Sequence, residues 1–233
     1  MLDSPQPFLG RLRSNDPRSR APQFRLQRPR EASQLVARSW LAPDKRTILN
    51  QRETPHCVAY SALHYLMATP VVNNRALPAP IAIYDGAQAI DEWPGTDYEG
   101  TSVNAGLKVL RSMGYIERWE WAYDANTAID HLLARGPLML GTTWFWDMFE
   151  PDAQGYIWPT GPSVGGHAFC LVAANRARKN PDGSVGAARI LNSWGADWGQ
   201  NGRAWISFKT LQLLIEDWGE VAYPVEVKKA NAT

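Results

Sequence analysis

The chain has 233 residues, 45% hydrophobic and 20% charged, with a formal net charge of +1. That length supports one substantial core, or two lobes sharing an interface, and the near-zero charge argues against an obligate polyanionic partner. Two cysteines exclude a disulfide framework, and no apolar window reaches the length of a membrane span.

Independence from cross-links fits a reducing compartment, and the first twenty residues, MLDSPQPFLGRLRSNDPRSR, lack the apolar stretch of a signal peptide. A cytoplasmic setting is therefore expected, although delivery by another route would leave no mark here. Eleven tryptophans point to heavy aromatic packing or flat apolar grooves.

Residues 1–45 form the first segment. Arg11, Arg13, Arg18, Arg20, Arg25, Arg28, Arg30 and Arg38 alternate with Pro5, Pro7, Pro17, Pro22 and Pro29. Proline at that density blocks a continuous helix, and no strand alternation replaces it. An extended arm is expected, lying on the body or staying mobile, with a solvated arm as the simpler reading.

Residues 46–233 are regular. Thr54 and Pro55 read as the start of a mostly buried helix running to about Ala68. A second helix is predicted from Thr101 or Ser102 to Gly114, and a third over 127–135, stopped by Gly136-Pro137. Short runs rich in branched and aromatic residues follow at 138–146, 167–175, 188–192, 203–208 and 221–227, with RKNPDGSVG as a hairpin connection. Helices first and strands later argue for an α+β chain with two lobes and functional residues where they meet.

Three polar groups stand apart from apolar surroundings. Cys57 falls in the first turn of a buried helix, where backbone N–H groups and the helix dipole favour a thiolate. His167 opens an apolar strand after two glycines, and Asn192 closes the strand ARILN. A thiolate nucleophile needs a base, the base needs an orienting group, and a developing oxyanion needs donors. Gln51, six residues before Cys57, has an amide suited to the last task.

Gln51 and Cys57, then GGHAF around His167, then LNSWGADWGQNGRAWI from Leu191, resemble the papain-like cysteine peptidases. The asparagine block is the most specific of these elements. The resemblance covers about residues 46–227 and implies a two-lobe fold, with Cys57 on a central helix and His167 and Asn192 on a barrel-like antiparallel lobe. It implies acyl transfer to Cys57 and thioester hydrolysis, with His167 as base and then acid and Asn192 orienting it. Gln51 and the Cys57 amide would bind the oxyanion. Trp194 would shield the Asn–His hydrogen bond, and Trp198 would line the leaving-group side. Gly100 and Thr101, in YEGTSVNAGLKVL, take the place of the family's glycine wall that pairs with substrate backbone. A protein or peptide substrate is implied, with no cofactor or metal. Departures are TPHCV in place of the usual CGSCW and the lack of a counterpart to the propeptide of secreted members. The differences fit an intracellular bacterial or viral branch, with control by the arm, by an activator or inhibitor protein, or by neither.

Simpler readings compete at several positions. Cys170, inside HAFCLVAA, reads as core. His56 adjoins Cys57, but neighbours on a helix point about 100° apart and do not form a dyad. His64 and His131 read as packing or surface residues, and a zinc site built from Cys57, His56 and His64 lacks ligand-pair spacing. Asp91, Asp97 and Glu99 read as a solvated acidic loop or as a subsite for basic side chains. The aromatics Trp144, Phe145, Trp146, Phe149, Tyr156 and Trp158 divide between core and a lid or binding wall.

Three rival functions stay open. A catalytically silent papain-like module would bind peptide or polymer without turnover. A cell-wall amidase would digest peptidoglycan but not unfolded protein. A nucleic-acid-associated protein, not expected from the net charge, would lose a salt-sensitive mobility shift on deletion of residues 1–45.

Overall fold

The computed structural model describes residues 7–14, 25–41, 48–71, 76–95 and 97–227. Arg18, Arg20, Pro5, Pro17 and Pro22 of the predicted arm lie outside them.

The first helix, α1 (Cys57–Met67), begins later than the Thr54-Pro55 signal predicts. Thr54 instead closes a turn on Gln51: its Oγ1 donates to the Gln51 carbonyl at 2.6 Å, and Gln51 Nε2 donates to the Thr54 carbonyl at 2.7 Å. His56 takes the cap position without a side-chain bond, so Cys57 is the first helical residue. The first N–H groups of a helix have no intrahelical acceptor. The backbone donor of Cys57 is therefore not consumed by the helix.

Helix α2 (Pro80–Gln88) follows, and α3 (Val103–Ser112) is capped by Ser102, whose hydroxyl accepts from the Ala105 amide at 3.1 Å. Helix α4 (Ala125–Ala134) is capped by Asp124 through the Thr127 amide at 2.8 Å. Helix α5 (Phe208–Glu216) starts where the predicted strand RAWISF ends, with the Ser207 hydroxyl accepting from the Thr210 amide at 3.0 Å.

The strands are β1 (Ala37–Ser39), β2 (Ile116–Ala122), β3 (Leu138–Phe145), β4 (Ser163–Lys179), β5 (Val185–Leu191), β6 (Arg203–Ser207) and β7 (Glu220–Glu226). They form one seven-stranded antiparallel sheet in the order β2-β7-β3-β4-β5-β6, with β1 pairing on β4. Residues 37–39 of the arm are thus part of the sheet, and the arm is not simply solvated.

Strand β4 explains the two-lobe organisation through its period of two. Ala168, Cys170 and Val172 pack into the core shared with α1, α2 and α3, beside Val58, Leu63 and Leu107. Phe169 and Leu171 enter the opposite core, with Leu132, Ile190 and Leu214 from the other side, and Ala174 joins them only after a register shift between Leu171 and Ala173. Each buried Val, Leu, Ile or Phe among these contributes about 1.5–3 kcal/mol relative to exposure. A one-residue slip of β4 would exchange both sets. His167 shares the parity of Phe169 and so is directed by the same register.

Candidate active site

Cys57 opens α1, His167 lies within β4, and Asn192 immediately follows β5. His167 and Asn192 are brought together by strand pairing: β4 and β5 align Cys170 with Leu191, and the histidine and asparagine lie just beyond that pair. The His167 Nε2 to Asn192 Oδ1 distance is 2.7 Å, and both residues are fully buried. Nε2 must carry the proton in this bond, since the amide oxygen only accepts. Nδ1 is then the nitrogen left for proton exchange, and it is buried without a hydrogen-bond partner among the described residues.

The sulfur of Cys57 lies against the Ala168 amide, one residue from His167. Trp194 stacks on the imidazole, with centroids 4.6 Å apart and planes 27° apart. Trp144, which the sequence leaves between core and lid, is fully buried and meets the imidazole edge-on at 4.9 Å. Trp198 meets Trp194 edge-on at 5.5 Å and donates Nε1 to the Phe149 carbonyl at 2.7 Å. The aromatic run therefore contributes a wall behind His167, while Trp146 stays exposed.

Gln51 is anchored at its carbonyl end. The Ser193 hydroxyl, next to Asn192, donates to Gln51 Oε1 at 2.5 Å, which leaves Nε2 to donate elsewhere. Besides the Thr54 carbonyl, Nε2 reaches the carbonyl of Phe8 at 3.0 Å.

That contact belongs to an unexpected occupant. Residues 8–13 of the N-terminal segment lie along the site. The Gly10 and Arg11 amides donate to the Gly166 carbonyl at 3.3 and 3.0 Å. Thr101 N–H donates to the Gly10 carbonyl at 2.9 Å, and the Leu12 amide donates to the Thr101 carbonyl at 2.8 Å. Arg11 and Thr101 make a parallel bridge. Thr101 thus pairs through its backbone with the chain's own N-terminal segment, whereas the Gly100 amide donates to the Tyr84 hydroxyl.

Three glycines permit so close an approach. A Cβ on Gly10 would stand 1.9 Å from the Pro55 carbonyl oxygen, one on Gly100 2.5 Å from the Gly10 oxygen, and one on Gly166 2.3 Å from the Arg11 oxygen. The wall is held from behind by the supposed acidic loop. Asp91 accepts from the Thr101 hydroxyl at 2.7 Å and the Tyr98 hydroxyl at 2.6 Å, and Tyr84 accepts from the Gly100 amide at 2.9 Å. Asp91 is therefore a support for Thr101, whereas Asp97 and Glu99 are exposed.

Enclosure sets the protonation states. Burial pushes the Cys57 thiol up to about 12, against the lowering effect of the Ala168, Gly10 and Val58 amides and of Arg11. Burial pushes His167 down to about 4, with the Asn192 bond opposing. With residues 8–13 in place the pair is a neutral thiol and a neutral imidazole, not the thiolate that the helix start alone favours. The amide of Gly10 faces the sulfur. It offers a hydrogen-bond donor where a substrate would have to offer a carbonyl carbon.

The remaining candidates are structural. Cys170 is buried and donates to the Ser61 carbonyl at 3.1 Å. His56 stacks on Tyr84 at 4.1 Å, and His64 is buried and accepts from the Leu49 amide at 3.2 Å. His131 is buried against the Gln27 carbonyl of the arm. No group of three or more His, Cys, Asp or Glu side chains suited to a metal ion occurs among the described residues. None of the described helices is long and apolar enough to cross a membrane.

No protein-family model matches the chain, and no curated protein sequence matches it. Solved structures do. Xylellain, a cysteine protease from Xylella fastidiosa, superposes with a TM-score of 0.74 at 15% identity, covering 98% of this chain and 100% of that one. Procathepsin B S9 from Trypanosoma congolense gives 0.67 at 12% identity, covering 95% of this chain and 87% of that one. Digestive procathepsin L 3 from the larval midgut of Tenebrio molitor gives 0.62 at 13% identity, over 88% and 75% of the two chains. The fold resembled in sequence is the fold found: this chain has the papain-like architecture.

Proposed function

We propose that this chain is a thiol-dependent peptidase acting on peptide or isopeptide bonds, held latent by residues 8–13. The observation that carries the proposal is the His167–Asn192 bond at 2.7 Å, which leaves Nδ1 without a hydrogen-bond partner, with the Cys57 sulfur against the amide of the next residue, Ala168. In the reaction, Nδ1 takes the thiol proton and the sulfur attacks the substrate carbonyl. The oxyanion accepts from the Cys57 amide and Gln51 Nε2. The imidazolium then protonates the leaving amine as the C–N bond breaks, which leaves a thioester. Water, deprotonated by Nδ1, attacks the thioester; the thiol departs with that proton, and the carboxylic acid formed loses its own proton to solvent and leaves as a carboxylate. Asn192 holds the ring so that Nδ1 faces the sulfur throughout. Each step uses side chains and backbone of this chain.

Latency follows from occupancy. Residues 8–13 take the Gln51 amide, the Thr101 wall and the Gly166 carbonyl, and their enclosure keeps Cys57 protonated. Departure of the segment admits water and removes the desolvation that raises the thiol. The two free cysteines suit a reducing, cytoplasmic setting, which belongs to the same proposal.

The full-length Gly10→Val variant tests it, because a Cβ at Gly10 cannot coexist with the Pro55 carbonyl. Turnover of a mixed peptide library by Gly10→Val, absent in Gly10→Val with Cys57→Ala, is the expected result. A Gly10→Val protein that folds but cleaves nothing, with an unreactive Cys57, would leave a silent binding module.

A further inference from the structure

The outer face of strands β4, β5 and β6 gathers three arginines around one tryptophan. In β5 and β6, Ile190, Ala204 and Ile206 enter the core, so the period of two turns Arg189, Arg203 and Trp205 to the other face. Arg189 and Trp205 are register partners. The Arg189 guanidinium carbon lies 5.2 Å from the centre of the Trp205 ring, and that of Arg178, near the end of β4, lies 4.0 Å from it. Arg178 Nε donates to the Tyr156 hydroxyl at 2.6 Å, and Arg189 Nη2 donates to Gln200 Oε1 at 3.1 Å. The forks are thus held in place before any ligand arrives.

Among the described residues nothing neutralises this group. Arg11 pairs with Glu220 at 2.8 Å, Arg135 with Glu31 at 2.7 Å, and Arg28 and Arg176 share Asp130, whereas Arg178, Arg189 and Arg203 make no ion pair there. All three are half-buried, and the Nε atoms of Arg189 and Arg203 are buried without a hydrogen-bond partner among the described residues. Burial lowers the pKa of Arg189, as do the neighbouring charges of Arg203 and Arg178; burial also lowers that of Arg203. Stacking on an indole attracts a cation, but it neither cancels the charge nor satisfies the N–H donors. A face built only for packing would do better with an uncharged side chain at one of these positions.

We propose that this face is an anion site for a small ligand carrying two or more phosphate groups, held in the forks of Arg178, Arg189 and Arg203. It uses none of the residues assigned to the reaction and does not depend on the peptidase reading. Guanidinium donors match phosphate oxygens in pairs, and several linked phosphates supply counter-charge to all three arginines at once. A lone carboxylate would leave two cations uncompensated. A nucleic-acid backbone is matched less well, because the unpaired cations are grouped around one ring and do not form a stripe, and the whole chain carries only +1.

The test is calorimetric titration of the full-length protein with tripolyphosphate, at an ionic strength held constant with sodium chloride. Saturable binding is expected, weakened about tenfold or more when Arg178→Gln and Arg189→Gln are combined. Arg189→Lys, which keeps the charge and loses the fork, should also weaken it, and it keeps the test decisive if the glutamine pair misfolds. Arg111→Gln combined with Arg118→Gln removes two exposed positive charges elsewhere and should leave binding unchanged. Near-ultraviolet circular dichroism checks the fold of each variant. Absence of saturable binding, or equal weakening by the Arg111 and Arg118 pair, overturns the site. Orthophosphate or sulfate binding as tightly as tripolyphosphate overturns the requirement for linked phosphates. A single-stranded RNA oligomer that binds more tightly, and loses this in the Arg178 and Arg189 variants, overturns the small ligand in favour of nucleic acid.

Discussion

The His167 region and the N-terminal segment meet at the same sulfur, yet their sequences reveal them very differently. Around His167 and Asn192, proposed function and local structure coincide: the histidine follows two glycines inside β4, the asparagine immediately follows β5, and the two side chains meet in a 2.7 Å hydrogen bond. Residues 8–13 have no comparable local signature. Their placement depends on partners 45 to 209 positions away, at Pro55, Thr101, Gly166 and Glu220. The lesson is that a candidate nucleophile can be read from its neighbours in sequence, whereas what covers it is decided by distant complementarity.

The comparison can be broken most forcefully at the nucleophile. In full-length Gly10→Val, Cys57→Ala should lower kcat/KM for library peptides by about 10⁴-fold or more, the scale seen when a covalent nucleophile is removed. Gln51→Ala in the same background should reduce kcat by about 10²–10³-fold, the usual loss of one oxyanion donor. An equal loss in KM alone would mean that Gln51 only shapes the cleft.

The segment itself gives the next effect. A tethered occupant competes at an effective concentration of about a millimolar, so Gly10→Val should raise the rate with dilute peptide by roughly 10–10³-fold. Unchanged turnover in a variant shown to fold would mean the cleft is open in solution without help. Asn192→Ala should cost about 10²-fold in kcat through a misoriented imidazole.

The smallest expected effect is on stability against acid. His167 is held down to about 4 and His64 to about 3, both by burial, against an ordinary value of 6.5. Both contribute fully above pH 6.5, and their contribution falls as pH drops toward 4 because the unfolded chain then binds more protons. Urea midpoints should therefore decline from pH 6.5 to 4, and less steeply in His64→Gln.

The predicted helices and strands occur with shifted ends, and the omissions have physical causes. In β2, Glu117, Arg118 and Glu120 stand among the aromatics Trp119 and Trp121, so the strand reads as a polar connection until β7 pairs with it. Strand β6 and helix α5 are contiguous at Ser207, and the apolar run conceals where period two becomes period 3.6. Among site residues, Gly100 and Thr101 are legible only through the wall they resemble. Glu220 is not legible at all: it is one carboxylate among many until β3 and β7 align it with Gly141. Arg11 is hidden by its own setting, since an arginine in a proline-rich basic segment has the composition of a solvated arm.

The most direct test of the central claim is the rate of iodoacetamide modification of Cys57 as a function of pH, by peptide mass spectrometry. It compares the full-length wild type, Gly10→Val, and Gly10→Val with His167→Ala, using Cys170 as an internal reference. Cys57 in the wild type should be as protected as Cys170 at neutral pH. In Gly10→Val it should react well below an ordinary thiol's pKa of about 8.5, and lose that reactivity without His167. A Cys57 that stays as inert as Cys170 in Gly10→Val, or titrates there as an ordinary thiol whether or not His167 is present, would contradict it.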